Sequence, residues 1–230
     1  NKQALGEKSI DAFLCFKCWN RANNYNLKNN KKSNHKWLNF QINQEIMKIN
    51  DIHALISYTE EKKKQYNIVN VVTFLSRIAK LYSKKKKILP IDTIMLIISN
   101  KLEIKEIWQT RNISQFLWSL AKIQLNINTL IKYNIKDRFF QHAKRTLTQY
   151  TCKAQEISNI IWALGKLRYT FSENDTFKHQ LIQSVQKNIQ QFNTQAISNI
   201  IYGLAHMSLI VNENSQLNQL FTNYLIKSIK

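Results

Sequence analysis

From Trp37 onward apolar residues recur three and four positions apart over most of the chain, the spacing of helices with one buried face. One such run returns almost unchanged. Ile113-Ser114-Gln115-Phe116-Leu117-Trp118-Ser119-Leu120-Ala121-Lys122-Ile123 is followed by Ile157-Ser158-Asn159-Ile160-Ile161-Trp162-Ala163-Leu164-Gly165-Lys166-Leu167 and by Ile197-Ser198-Asn199-Ile200-Ile201-Tyr202-Gly203-Leu204-Ala205-His206-Met207. A weaker copy, Val71 to Leu81, ends in Arg77-Ile78-Ala79-Lys80-Leu81. The small residue near the end of each copy stands at 79, 121, 165 and 205, offsets of 42, 44 and 40 residues. A pattern returning at that period predicts an array of helix pairs.

On a helical wheel Ile157, Ile160, Ile161, Leu164 and Leu167 form one broad stripe, predicted to pack on the second helix of the pair. Gly165 lies at its edge. Because Ala79, Ala121 and Ala205 are also small, a close helix-to-helix approach is expected at the same place in every pair. Asn159, Trp162 and Lys166 share a different face, at i, i+3 and i+7. The equivalent trios are Gln115, Trp118, Lys122 and Asn199, Tyr202, His206, with Thr73, Ser76, Lys80 in the weaker copy. Helices lying side by side would turn these trios into ladders of amide, aromatic and base. Such ladders offer hydrogen bonds to base edges, flat faces for stacking and cations for phosphates. The first expectation for Trp118, Trp162 and Tyr202 is contact between neighbouring repeats, with base stacking second. The recurring Lys80, Lys122, Lys166 and His206 are hard to place in a core and are read as phosphate contacts, a solvated convex face being the alternative.

Second, less regular helices are expected at about 91–107, 136–149, 174–191 and 214–228, with loops at Ser83 to Lys87 and Leu125 to Asn134. Ahead of the repeats, Ile42, Ile46 and Ile49 mark one helix, and Asn50-Asp51 caps another that carries Ile52, Leu55 and Ile56 toward Glu60 to Lys64. Residues 1–36 differ. Ile10 to Trp19 fits a short amphipathic helix, and Asn20 to Lys36 is an Asn/Lys tract read as a linker or an arm that orders on a partner. The expected organisation is an arm over 1–36 and an all-α array over 37–230, made of a leading half-repeat at 37–67 and about four helix pairs. With 3 Gly and 1 Pro the chain has few turns of the kind an all-β fold needs.

Lys and Arg total 34 against 14 Asp and Glu, a formal charge of +20 that favours a polyanionic partner, either nucleic acid or an acidic membrane surface. Lys, Asn and Ile rise together as they do in A/T-rich genomes, but Glu also has an A-rich codon, so base composition does not account for the shortage of acids. The most apolar run, Ile88 to Ile98, contains Pro90 and Asp92 and is shorter than the ~20 residues of a membrane span. Cys15, Cys18 and Cys152 are too few for a disulfide scaffold and point to a reducing compartment. The first residue is Asn1 rather than Met, so the expectation is a chain that is either processed or given without its start; no secretory signal is visible, and an organellar presequence is a segment that either case allows.

The stretches Ser158 to Leu167 and Phe116 to Ile123 resemble the "aN-llWAlAKL" helix of the octotricopeptide and heptatricopeptide repeat proteins of organelles, the group that includes the RAP-domain and FAST-kinase-like proteins. The leading unit is similar too, from Ile42 to Ile49, through Ile52-His53-Ala54-Leu55-Ile56, to Asn67 to Leu75 and Arg77 to Leu81. The resemblance covers about 37–230. It implies a right-handed α-solenoid that binds organellar RNA, in the mitochondrial matrix or, alternatively, a plastid. Members act in RNA stability and processing or hold ribosomal RNA inside divergent mitochondrial ribosomes. This sequence has fewer repeats than the longer members and no visible RAP domain, which favours the ribosomal expectation, with neighbouring ribosomal proteins as further partners.

Cys15-Phe16-Lys17-Cys18 supplies half of a zinc spacing and no second half, and the histidines at 53, 142, 179 and 206 fall in no HExxH pattern. No catalytic residue, metal ligand or cofactor site is expected, and an enzyme is not the leading reading. The candidate RNA contacts are Lys80, Lys122, Lys166, His206, Gln115, Asn159 and Asn199, joined by the second-helix bases Arg138, Lys144 and Arg145. A free RNA maturation factor and a protein-binding scaffold are the competing expectations.

Overall fold

The computed structural model describes residues 30–85, 88–102, 108–149, 152–171, 175–207 and 222, with side chains from 37 onward except at 85 and 149. Among these residues the protein is all-helical, with ten α-helices, two short 3-10 turns and no strand. The chain divides into two compact units, Asn1–Phe40 and Gln41–Lys230. Cys15, Cys18, the Ile10 to Trp19 helix and the expected helix at 214–228 lie outside the described residues.

Helix α1 (Asn30–Lys48) begins inside the tract read as a linker, since residues 30–36 contain neither Gly nor Pro to stop it. Asp51 caps α2 (Ile52–Lys62), accepting from the His53 and Ala54 amides at 2.9 and 3.0 Å, as its position predicts. The four repeated stretches lie on α3 (Ile68–Lys85), α5 (Thr110–Lys122), α8 (Ala154–Lys166) and α10 (Thr194–His206), here termed the signature helices. Between them run α4 (Ile91–Leu102), α7 (Lys136–Gln149) and α9 (Thr176–Asn188). Residues 125–134 are not all loop. Helix α6 (Ile127–Lys132) lies there because Asn126 is a cap whose side chain accepts from the Asn128 amide at 2.8 Å.

All four signature helices start three residues before the repeated β-branched position, after a cap the apolar pattern does not reveal. Asn67 and Asn70 exchange side-chain-to-amide hydrogen bonds at 3.0 and 2.9 Å, a reciprocal box that satisfies two otherwise orphaned donors. The Gln109 amide donates to Asn112 Oδ1 at 3.2 Å, the Lys153 amide to Glu156 Oε2 at 3.1 Å, and the Ala196 amide to Asn193 Oδ1 at 2.8 Å. Two of the ends also match. Gln124 and Arg168 take positive φ of 56° and 50°, and the next amides, of Leu125 and Tyr169, reach back to Leu120 and Leu164 carbonyls at 3.1 and 3.0 Å. This is the Schellman arrangement, which glycine adopts most cheaply.

Signature helices pack on one another in sequence order, α3 on α5, α5 on α8 and α8 on α10, while α4, α7 and α9 each touch the signature helix before them. The stripe Ile157, Ile160, Ile161 and Leu164 is at most 1% exposed, and each such side chain contributes about 1.5–3 kcal/mol by leaving water. The close approach expected within each pair instead joins successive signature helices. A Cβ on Gly165 would stand 2.6 Å from Gly203 Cα, and one on Gly203 would stand 2.6 Å from the Ile161 carbonyl carbon. A wheel gives the angle of a small residue, not which neighbour it faces. On the second-helix side the core is aromatic: Trp108, Phe116 and Phe139 pack with centroids 4.6–5.5 Å apart, and Phe140 continues to Tyr169 and Phe177 at 4.5 and 5.5 Å.

Two substitutions test this packing. Gly203→Ala gains about 1 kcal/mol of helix propensity but drives a methyl into backbone, so urea unfolding should show a net loss of about 2 kcal/mol. Gln124→Gly, which relieves a left-handed backbone at an exposed position, should raise stability by about 0.5–1 kcal/mol in the same assay.

Candidate nucleic-acid interface

The face of the signature helices that is not packed away carries four positions per helix, at i, i+4, i+7 and i+11. Read across α3, α5, α8 and α10 they make four rows: Val69, Arg111, Gln155, Gln195; then Thr73, Gln115, Asn159, Asn199; then Ser76, Trp118, Trp162, Tyr202; and last Lys80, Lys122, Lys166, His206. All are exposed or half-buried except Ser76. Arg111 was not among the sequence candidates because it precedes the repeated stretch, yet it is exposed on the same face.

Lys122 and Lys166 each bridge to the next helix. Lys122 Nζ lies 5.4 Å from the centroid of Trp118 on its own helix and 5.4 Å from that of Trp162 on α8. Lys166 Nζ lies 5.0 Å from the Tyr202 ring on α10, and His206 stacks on Tyr202 at 4.0 Å with its Nδ1 2.9 Å from the Tyr202 carbonyl oxygen. An exposed cation–π contact of this kind is worth about 0.5–1 kcal/mol, less than the ~1–3 kcal/mol of stacking one nucleobase on an aromatic ring. The expected ladder of aromatics and bases is therefore present from α5 to α10. It starts at α5 because Ser76 is buried and shares a hydrogen bond of 3.0 Å with Ser119. Lys80 is half-buried on α3. The side-chain amides of Gln115, Asn159 and Asn199 are half-buried and make no hydrogen bond among the described residues.

Charge on the signature helices is one-sided. They carry Arg77, Lys80, Lys84, Arg111, Lys122 and Lys166 against a single carboxylate, Glu156, which is engaged at the α8 cap. The other acids of the described residues lie on α1, on α2 and its cap, and on or beside the second helices.

Structure separates the second-helix bases from the ladder. Arg138 donates to the Asn134 carbonyl at 2.6 Å and to Ser99 at 3.3 and 3.4 Å, tying α7 to α4. Lys144 pairs at 3.1 Å with Asp175, itself 9% exposed and the cap of α9. Arg145 is exposed beside His142. Farther along, Tyr133 and Lys132 bond to Asp92 and hold its carboxyl below the usual range. Arg138 and Lys144 thus link one second helix to the next.

His142 lies over Trp108 with centroids 5.7 Å apart, and burial, with the Arg145 charge, pushes its pKa below the ordinary value, a hydrogen bond from its ring to the Leu102 backbone acting the other way. Among the described residues no three His, Cys, Asp or Glu converge on a metal position, Cys152 donates to Thr110 Oγ1 at 3.8 Å, and no helix is long and apolar enough to cross a membrane.

No protein family, no curated protein and no solved structure matches this chain.

A folded-state pKa below the unfolded one means the stabilising form of His142 is neutral. Its contribution is complete above about pH 6.5 and is lost as pH falls through the folded value. The urea midpoint should drop as pH falls below about 6.5, and His142→Gln should flatten that drop.

Proposed function

We propose that this protein binds RNA through the outward face of its signature helices, and that its helix pairs form a right-handed α-solenoid. The observation that carries the reading is the acid-poor face on which Lys122 and Lys166 recur in contact with Trp118, Trp162 and Tyr202. Neutralising phosphates releases counterions, so a face with bases and almost no carboxylates gains affinity for any nucleic acid strand. The half-buried amides of Gln115, Asn159 and Asn199 sit one turn from the aromatics, where they can meet base edges. Arg138 and Lys144 act within the fold in this reading, and Arg111 joins the phosphate contacts. From the resemblance to the organellar octotricopeptide and heptatricopeptide proteins comes the choice of RNA: ribosomal RNA of a divergent mitochondrial ribosome, in the matrix, beside other ribosomal proteins.

Ultraviolet crosslinking in the native organelle, with sequencing of the attached RNA and sedimentation of the protein, tests the assignment. Ribosomal RNA crosslinks and co-sedimentation with a ribosomal subunit are expected. Crosslinks to a few messenger RNAs in light fractions would replace this assignment with RNA maturation, and absence of RNA would leave a protein scaffold. In vitro, the affinity for single-stranded RNA should fall with salt, and Lys122→Met or Lys166→Met should each flatten the log–log slope by about 0.7.

A further inference from the structure

Lys122 occupies an unusual place for a phosphate contact, because in the free protein its ammonium is parked between two indoles, 5.4 Å from each. Trp118 and Trp162 are half-buried, and neither belongs to the aromatic core, which Trp108, Phe116, Phe139, Phe140 and Phe177 fill at no more than 5% exposure each. Two indoles on adjacent helices are thus held at the surface with a displaceable cation between them.

We infer that Trp118 and Trp162 are stacking platforms for the unpaired bases of a single strand, and that Lys122 is the group an arriving base displaces and the adjoining phosphate then engages. This rests on the RNA-binding reading and narrows it to single-stranded nucleotides. Magnitudes favour the exchange. Stacking of one base on an aromatic side chain is worth about 5- to 150-fold in affinity, against about two- to fivefold for an exposed cation–π contact. The displaced ammonium is not stranded, since a flexible lysine stem reaches a phosphate on the same strand. A paired duplex cannot make the exchange, because its base faces are already stacked.

The experiment compares the full chain binding to an RNA oligonucleotide of about 12 nucleotides, to an abasic strand of the same length and to the corresponding duplex. The base-bearing strand should bind at least about fivefold more tightly than the abasic one and quench tryptophan emission, with most of the quenching lost in the Trp118→Phe, Trp162→Phe double variant. Those substitutions keep a ring in each position, and the abasic comparison needs no variant, so a folding defect does not decide the result. Equal affinity for base-bearing and abasic strands, or equal affinity for duplex, overturns the stacking proposal while leaving phosphate binding intact. Binding to none of the three overturns the RNA reading itself. Lys122→Met should keep the preference for bases, and collapse of that preference would assign it to the cation and overturn the stacking role of the indoles.

Discussion

The backbone approach between α8 and α10 sets the spacing on which the outward face depends. With Gly203 against the Ile161 carbonyl carbon and Gly165 against Gly203, no side chain separates the two helices at that level. Helices this close bring equivalent positions into adjacent rungs, and only then can Lys166 on one helix reach Tyr202 on the next. The small residues at Ser119 and Ala163 occupy the corresponding places on α5 and α8, both fully buried. A larger side chain there would push neighbours apart by the width of a methylene or more, enough to lose a cation–π contact that falls away beyond about 6 Å.

The first signature helix departs from this rule for a visible reason. On α3 the corresponding position is Arg77, and what precedes α3 is not another signature helix but the turn between α1 and α2. Arg77 reaches that turn, donating to the Ile49 carbonyl at 2.8 Å and to Asn50 Oδ1 at 2.6 Å. The same helix replaces the aromatic by Ser76, which turns inward to Ser119. The first change answers a different preceding neighbour, and the second ties α3 to the signature helix that follows it. At the other end, Ile201 on α10 is 41% exposed where its equivalents Leu117 and Ile161 are 0% and 1%, because those two face a following signature helix and Ile201 does not among the described residues.

How much could be read beforehand follows from which interactions are local. Helix α7 spans the expected 136–149, and the Asp51 cap is found as its spacing suggested, since periodicity and capping involve residues a few positions apart. Asn126 was harder: the same residue that interrupts an apolar pattern starts a helix, and composition does not distinguish the two roles. The engagements of Arg138 and Lys144 within the fold were illegible for a different reason. Their partners Ser99 and Asp175 are 39 and 31 residues away and meet them only through packing of second helix on second helix. The rows of amide, aromatic and base were legible because they repeat, whereas Arg111 was not, having no repeated counterpart to mark it.

The distribution of carboxylates bears on whether the excess of lysine reflects genome composition. Drift toward A-rich codons adds lysines to any solvated face and is blind to helix neighbours. On α2 and the second-helix side, bases meet acids: Lys62 lies 2.8 Å from Glu61, Lys63 pairs with Glu60, Lys132 with Asp92 and Lys144 with Asp175. On the signature helices the bases face almost no acid, and the one carboxylate present is committed to a helix cap. Exposed pairs contribute little to stability, so their placement is not forced by folding. What separates the two sides is the shortage of negative charge on one of them, which leaves a positive field over the aromatic row at a small cost in mutual repulsion.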